Sequence, residues 1–453
     1  MAIVEDITDE TDAGPSSDVE LIQAIKELAK QLALPEGLLP EYMAHTPDQY
    51  QLERYGHRAL GIVQDIAAKA ALADWEMVEV DEQVATFGNV LRLYGDDPWT
   101  SPQICQVVDG ITSCLSPMLP QHILPTLRPY FSPHPSLSAA NRALTRPTGG
   151  KDSTIDLHDS QPFKSSSAWG VSNLLSWSVS HMSEIEIERN IGMILPPTLV
   201  MMDDWEPSWR EKAALIFEKW MDNLDPTVMR RMGIDKLLVD SLIHTLSLHS
   251  NPPLKRILEI TLKLVKRCTD EGEKRTKRYE EIVDKALVQG WIYAPSGVEG
   301  RVVLVHIAEQ TELICEVLGT GIVRWLKTII PHLLEPLQYP PTSPVLPHFR
   351  ANLSALLCVM RTVRATERIG RWRGQILNIL SRLWVQMKER QGVDDDDDDR
   401  ADIASLKPLQ ELVKQIFIEL ATQTPSVNTV EYPRLLAQAP TFFADLIPVP
   451  SQA

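Results

Sequence analysis

The stretch of sequence that decides the fold lies at residues 194–217 and reads ILPPTLVMMDDWEPSWREKAALIF. In its first half, Leu195, Leu199 and Met202 recur at the spacing of one helix face. Pro207 then marks the start of a second helix, because the fixed φ of proline suits the first helical position. The stretch therefore predicts a helix, a tight turn and a second helix that packs back on the first.

The turn of this helix pair carries charged residues. Asp203 and Asp204 can cap the second helix or hydrogen-bond the backbone of the turn. Arg210 lies where HEAT repeats commonly place a basic residue that bonds the acidic turn of an adjacent repeat. Ala213 and Ala214 are small enough for close helix contact. The pattern is that of a HEAT unit, whose helix pair cannot bury its apolar face alone and stacks on its neighbours.

The pattern recurs more weakly along the chain. Residues 237–265 predict another helix pair, interrupted by the sequence NPP at 251–253, and residues 325–363 predict a third, with 337–347 as the turn. A strand is suggested only at 301–306, and the helical neighbours make it a weak candidate. We expect an all-α, HEAT-type α-solenoid of stacked antiparallel helix pairs. The alternative is an irregular helical domain.

Composition and turn residues divide the chain into seven segments. They are an acidic tail expected to be disordered (1–17), an N-terminal helical block (18–131), a flexible linker (132–167), HEAT-like helical repeats (168–390), an acidic loop (391–402), a terminal helix (403–424) and a Pro-rich tail (425–453). Ser17 and Glu20 are expected to form a capping box at the start of the first block. Pro408 is expected in the first turn of the terminal helix, and Phe442 and Phe443 are candidates for packing the tail onto the body.

The negative charge is concentrated in two segments. The formal net charge is −17, and most of it comes from residues 5–20 and 394–402. The remaining body is close to neutral, which excludes the basic surface that nucleic-acid backbones require. The six aspartates at 394–399 lack the interleaved ligands, glycine and terminal glutamate of a calcium loop, so we interpret this run as a solvated loop.

Cysteine use and targeting signals indicate a soluble intracellular protein. The five cysteines are scattered, mostly inside apolar helical runs, as is typical of reduced, buried thiols. The N-terminus lacks the basic and apolar regions of a signal peptide, and no uncharged apolar run approaches the roughly 20 residues of a membrane span. We expect a cytoplasmic and nuclear protein without a membrane partner.

The sequence contains no catalytic, cofactor-binding or metal-binding motif that survives inspection. Gly319-Thr320-Gly321 lacks the strand–turn–helix context and third glycine of a phosphate loop. Gly-x-Ser-x-Gly, His-Glu-x-x-His and Cys-x-x-Cys do not occur. We expect no enzyme, no cofactor and no metal. An enzyme with a site assembled from distant residues is the alternative, and it requires a deep polar pocket with convergent titratable groups.

Two groups of side chains are candidates for contacting a partner. The tryptophans Trp205, Trp209 and Trp220 either form an exposed aromatic anchor or fill gaps between helices, and we favour the core interpretation. A basic stripe, expected on one side of a continuous helix, either docks an acidic segment or is a solvated face, which we favour. Its members are Arg361, Arg364, Arg368 and Arg371, with Gly370 as a candidate end of the helix before Arg371. The docking hypothesis predicts that changing the first three to Glu weakens partner binding without lowering thermal stability.

The order Leu-Pro-Pro-x-Leu-x-x-x-Asp-Asp-aromatic resembles the motif of the telomere-maintenance-two-interacting-protein-two family. It is carried here by Leu195, Pro196, Pro197, Leu199, Asp203, Asp204 and Trp205. The later run of helix pairs, ending in an isolated C-terminal helix, resembles the family in architecture. Trp205 departs from the pattern, because tyrosine is more frequent there, and the aspartate run is a second departure.

The resemblance implies a non-catalytic scaffold, the smallest subunit of the Triple-T (TTT) co-chaperone complex. It implies binding to the large HEAT-repeat subunit and, through it, to the other TTT subunit. The complex works with the ninety-kilodalton heat-shock chaperone and an AAA-type assembly, and its clients are kinases related to phosphatidylinositol 3-kinase. The alternative is a HEAT adaptor of another assembly, such as a transport or phosphatase scaffold.

Overall fold

A computed structural model describes residues 16–38, 48–131, 162–250, 253–391 and 397–447 of the chain. Within these ranges every regular element is an α-, 3-10 or π-helix, and no β-strand occurs. The chain divides into two compact units, Met1–Met229 and Arg230–Ala453. The prediction of an all-α solenoid is confirmed.

The first unit is a stack of packed helices. Helices α1, α3, α5, α6 and α8 contact one another in succession, α2 packs on α1 and α4, and α7 packs on α8. Helix α9, Pro226–Met232, contains the boundary between the units. The eight helices of the stack are α1 Ser16–Lys30, α2 Gln49–Ala70, α3 Val80–Leu91, α4 Pro102–Thr112, α5 Leu119–Leu127, α6 Val171–Ser180, α7 Glu184–Met202 and α8 Pro207–Asn223.

Local sequence signals set several of these helix starts. Ser101 caps α4 by accepting a hydrogen bond from the backbone N–H of Ile104, and proline follows at the first helical position. Ser183 and Glu186 form a capping box at α7. Helix α7 continues through Pro196 and Pro197, whose missing N–H groups leave two carbonyls one turn earlier without a helical partner.

The second unit contains the remaining helices. Helix α10 pairs with α11 and α15 pairs with α16, at the two weaker repeats predicted from sequence, while α14, α16 and α18 pack in succession. These helices are α10 Ile234–Leu246, α11 Arg256–Cys268, α12 Glu273–Val283, α13 Gln289–Tyr293, α14 Gly297–Leu318, α15 Leu326–Leu334, α16 Leu346–Thr362, α17 Arg373–Gln391, α18 Asp397–Gln423, α19 Ser426–Thr429, α20 Glu431–Gln438 and α21 Pro440–Phe443. Residues 301–306, the weak strand candidate, lie inside α14.

The C-terminal boundaries differ from those predicted. The terminal helix α18 begins at Asp397 rather than at 403, so part of the expected acidic loop is helical and Pro408 lies inside the helix. Acidic residues favour a helix N-terminus because they face its positive dipole end. The expected Pro-rich tail contains three short helices, and Trp384 Nε1 donates to the Phe442 carbonyl over 2.7 Å, while Phe443 is buried.

The linker also ends earlier than predicted. Residues 162–168 form two 3-10 turns, and Phe163 is buried there against Phe131, with the ring centroids 5.5 Å apart. Packing of this phenylalanine fixes the turn to the first unit. The predicted disordered tail reaches residue 17, but its residues 16 and 17 belong to α1. Residues 1–15, the Ser17 side chain, residues 132–161 and residues 392–396 of the acidic loop lie outside the described part of the chain.

Candidate functional site

The α7–α8 turn is built around Asp204. This side chain is only 7% exposed, and its Oδ1 accepts a hydrogen bond from the backbone N–H of Glu206 over 2.9 Å. Pro207 then opens α8 at the first helical position. Asp203 follows the last residue of α7 and is exposed. Of the two predicted roles for the acid pair, Asp204 therefore takes the turn-bonding one.

Lys164 reaches this turn from the short 3-10 helix at 162–164. Its Nζ donates to Asp204 Oδ1 over 2.9 Å and to Glu206 Oε1 over 2.8 Å. The same Nζ lies 5.3 Å from the centre of the Trp205 ring, within cation–π range. Trp205 is 59% exposed. The turn thus presents a large aromatic side chain to solvent from a backbone that two ion pairs hold in place.

The other tryptophans of the segment belong to the core. Trp209 is 8% exposed and lies edge-on to Phe163, with the centroids 5.0 Å apart, and Trp220 is fully buried. The core interpretation describes both, and the candidate role of Trp209 as a partner contact is wrong because its ring is packed inside the unit. Trp325 is half-buried and donates from Nε1 to Asp284 Oδ1 over 3.0 Å.

Arg210 does not reach an adjacent helix pair through any of the hydrogen bonds described. The side chain is buried, and Nη2 donates to the carbonyl of Trp205 in its own turn over 3.5 Å. Burial lowers the pKa of Arg210, and the charge of Asp204 opposes that shift. The guanidinium therefore supports its own turn, which differs from the predicted bond to a neighbouring repeat.

The bond between helix pairs comes instead from Lys212, one half-turn further along α8. Lys212 forms an ion pair with Asp97, which lies in the loop between α3 and α4. The Asp97 carboxylate is buried and also accepts from Asn173 Nδ2 on α6 over 2.8 Å. The Lys212 Nζ lies 4.9 Å from the ring centre of Trp209 and 5.8 Å from that of Trp99. This acid–lysine–tryptophan cluster joins α6, α8 and the α3–α4 loop.

A close backbone approach at Gly95 completes the cluster. A Cβ atom at this position would lie 2.5 Å from Asn173 Oδ1, so a side chain here would displace the amide that bonds Asp97. Sequence reasoning missed this cluster. The available signal was Asp96-Asp97-Pro98, an acidic pair before proline that repeats the composition of the α7–α8 turn.

The arginine stripe does not lie on one helix. Helix α16 ends at Thr362, and two 3-10 turns at 364–366 and 368–372 follow. The prediction of a continuous helix is therefore wrong. Arg371 is exposed on the second of these turns.

Two of the arginines bind α18 instead. Arg364 Nε donates to Glu419 Oε1 over 2.8 Å, and Arg361 Nη2 donates to Gln415 Oε1 over 3.1 Å. Burial raises the pKa of Glu419, but hydrogen bonds from Arg364 and Gln423 outweigh burial and the net shift is downward. Arg368 is exposed. Changing Arg364 to Glu would place a second carboxylate beside the buried Glu419 carboxylate. Changing all three arginines to Glu would therefore lower the stability of the unit itself, and a loss of partner binding could not be told apart from that effect.

The described residues offer little that resembles a reactive centre. They contain no group of three or more His, Cys, Asp or Glu side chains placed to hold a metal ion. A cavity of about 630 Å³ in the first unit lies between α2 and residues 98–103, and its titratable side chains are Glu53 and His57. None of the helices in the described ranges combines the length and apolar composition that crossing a membrane requires.

Comparison with known proteins identifies the family. No curated protein matches the sequence significantly. A sequence model of the Tti2 family matches residues 89–344, which is more than half of the chain. The match includes Asp97, the α7–α8 turn and Lys212, and it excludes the arginines at 361, 364 and 368. The resemblance seen at residues 195–205 is confirmed, and the chain belongs to the Tti2 family.

Proposed function

We propose that this chain is a non-catalytic scaffold subunit of the TTT co-chaperone complex. The observation that carries the proposal is the family match over residues 89–344. The direct partner is the large HEAT-repeat subunit, which links the chain to the other TTT subunit, the chaperone machinery and the kinase clients. In this role the chain supports the chaperone-dependent maturation and stability of kinases related to phosphatidylinositol 3-kinase, in the cytoplasm and the nucleus.

The architecture supports a scaffold role. Stacked helix pairs bury one continuous core and leave extended outer surfaces, which solenoid proteins use to bind other proteins. The acid–lysine–tryptophan cluster and the Lys164 ion pairs make the first unit rigid around the α7–α8 turn. Rigid surfaces bind with a smaller loss of conformational entropy.

The side chain best placed for contact in this turn is Trp205. Exposed tryptophans are rare on monomers and common among the residues that dominate binding energy at interfaces. Trp205 is exposed, and its backbone is fixed by Asp204 and Arg210. Trp205, rather than Trp209, is therefore the candidate partner contact of this segment.

Affinity purification of the tagged full-length chain, followed by mass spectrometry, tests the proposal. We expect the two large TTT subunits in near-equal amounts, with chaperone components and kinases at lower yield. Depletion of the chain should lower the steady-state level of the kinases, and imaging should find it in cytoplasm and nucleus. Recovery of an unrelated transport or phosphatase assembly would overturn the TTT assignment, and a chain without stable partners would favour the enzyme alternative.

A pair of variants tests the contact residue. Trp205→Ala should lower recovery of the large subunit while leaving the melting temperature unchanged, because most of the ring is already in water. Tyr339→Ala is the matched control, since Tyr339 is an exposed aromatic of similar exposure in the other unit. Equal recovery with both variants would remove Trp205 from the interface and leave the TTT proposal intact.

A further inference from the structure

The second unit contains an apolar groove between α17 and the short helices α20 and α21. Its volume is about 580 Å³. The walls are joined by Arg373 Nε to Glu431 Oε1 at 3.0 Å and by Lys388 Nζ to Asp445 Oδ2 at 2.9 Å. The apolar side chains lining it are Leu377, Val385, Leu435 and Phe443. These contacts fix the groove as a feature of the folded unit.

The charged side chains along the groove are mainly basic. Arg382 on α17 and Arg434 on α20 line opposite walls, and both are exposed. Neither makes a salt bridge with any described residue. Glu431 is the acidic residue of the lining, and Arg373 neutralises it. The groove therefore carries two arginines whose charge is not compensated by the described part of the chain.

We propose that this groove binds an acidic amphipathic helix of a partner protein. Apolar side chains of the helix occupy the floor, and its carboxylates pair with Arg382 and Arg434. Helices bind in apolar grooves of this kind through side chains spaced three and four residues apart. The arginines favour carboxylates, because guanidinium groups bind them with two parallel hydrogen bonds.

Two C-terminal segments of this chain lack the required composition. Residues 448–453 read PVPSQA and contain no acidic side chain, while residues 394–399 are six aspartates without an apolar one. The groove also lies outside residues 89–344, which the family model matches. The partner helix is therefore a separate determinant from the family motif, and its binding does not depend on the assembly proposed above.

Fluorescence anisotropy with the full-length chain tests the proposal. The probe is a labelled helical peptide of about 18 residues, five turns long, with leucines on one face and glutamates beside them. The control peptide carries lysine in place of each glutamate. We expect the acidic peptide to bind at least about tenfold more tightly than the lysine peptide, and to weaken as salt rises from about 0.05 to 0.5 M.

Two double variants with equal charge change locate the binding site. R382E/R434E should weaken binding of the acidic peptide at least about tenfold. R350E/R371E, which changes two exposed arginines outside the groove lining, should bind as the wild type does. Both variants change surface side chains, so their melting temperatures should match that of the wild type and report that the groove is folded.

Three outcomes would overturn the proposal. The first is equal affinity for the acidic and lysine peptides, and the second is equal affinity of the two double variants for the acidic peptide. The third concerns the chain's own acidic segments. If replacing the aspartates at 394–399 by asparagine, or deleting residues 1–15, tightened peptide binding about tenfold, that segment would be the occupant rather than a partner helix.

Discussion

Removal of the Lys212 ammonium should destabilise the first unit more than any comparable surface change. In Lys212→Met the aliphatic part of the side chain is kept, so packing on Trp209 persists while the charge is lost. The Asp97 carboxylate is then buried, with a side-chain exposure of 3%, and among the described residues it retains only the hydrogen bond from Asn173. A buried charge without its counter-ion is costly, because neither water nor another cation replaces the lost interaction.

The magnitude follows from the burial of the two partners. Breaking a fully buried ion pair by removing one partner costs about 3–5 kcal/mol. The Lys212 side chain is 29% exposed, so water screens part of the interaction, and we expect about 2–3 kcal/mol. For a unit of this size, about 1 kcal/mol lowers the melting temperature by about 2–4 °C. The first unit should therefore melt about 4–12 °C lower.

A double-mutant cycle separates the charge effect from lost packing. Asp97→Asn removes the buried charge, so D97N/K212M should be more stable than Lys212→Met alone, within about 1 kcal/mol of the wild type. Lys255→Met is the control, because Lys255 lies 3.9 Å from Glu309 in an exposed pair worth little. Scanning calorimetry measures the wild type, the two single variants, the double variant and the Lys255→Met control. A Lys212→Met variant with the melting temperature of the wild type would refute the importance of this ion pair. The same holds if the stability losses of Asp97→Asn and Lys212→Met simply add up in the double variant.

Three further results are expected. Arg364→Glu should lower the melting temperature of the second unit in thermal denaturation, because it faces the buried Glu419 carboxylate, whereas Arg368→Glu should not. Cys358 should be alkylated by iodoacetamide at a lower pH than Cys105, since the hydrogen bond from Cys315 lowers the pKa of Cys358 and its thiolate forms first as the pH rises. Cys105, whose pKa burial raises, should react only at higher pH, and mass spectrometry of both peptides decides. Gly95→Ala should cost about 1–3 kcal/mol in urea unfolding by displacing Asn173, while Gly88→Ala in α3, with open space around its Cβ, should be neutral or stabilising by about 0.5–1 kcal/mol.

The helix pairs were predictable because their signals are local. Leucines at helical spacing and Pro207 at the first position of α8 depend on a few neighbouring residues. The bonding partner of each basic residue depends on how helices rotate against one another. Arg210 and Lys212 are two residues apart on α8, and only the packing of α6 and the α3–α4 loop decides that Lys212 reaches Asp97.

The errors near the C-terminus have a related origin. Thr362 ends α16 without a nearby proline or glycine before Gly370, so the sequence looked like one continuous helix. Asp397 starts α18 without an apolar residue to show the helical period, because acidic residues near a helix N-terminus are favoured by charge rather than burial. The groove beside α17 was not predicted, because the short helices α20 and α21 that form its other wall lie in residues expected to be a Pro-rich tail.

The stacked rings of Phe131 and Phe163 have a consequence for what the chain tolerates. They bring the residues on either side of 132–162 to within one aromatic contact, so both ends of this segment are fixed at one place in the first unit. Closing a loop from a fixed pair of ends costs only about 0.6 kcal/mol more for each doubling of its length. Lengthening this segment should leave the register of the helices unchanged. It is therefore the natural position for inserting a fluorescent domain or an affinity tag.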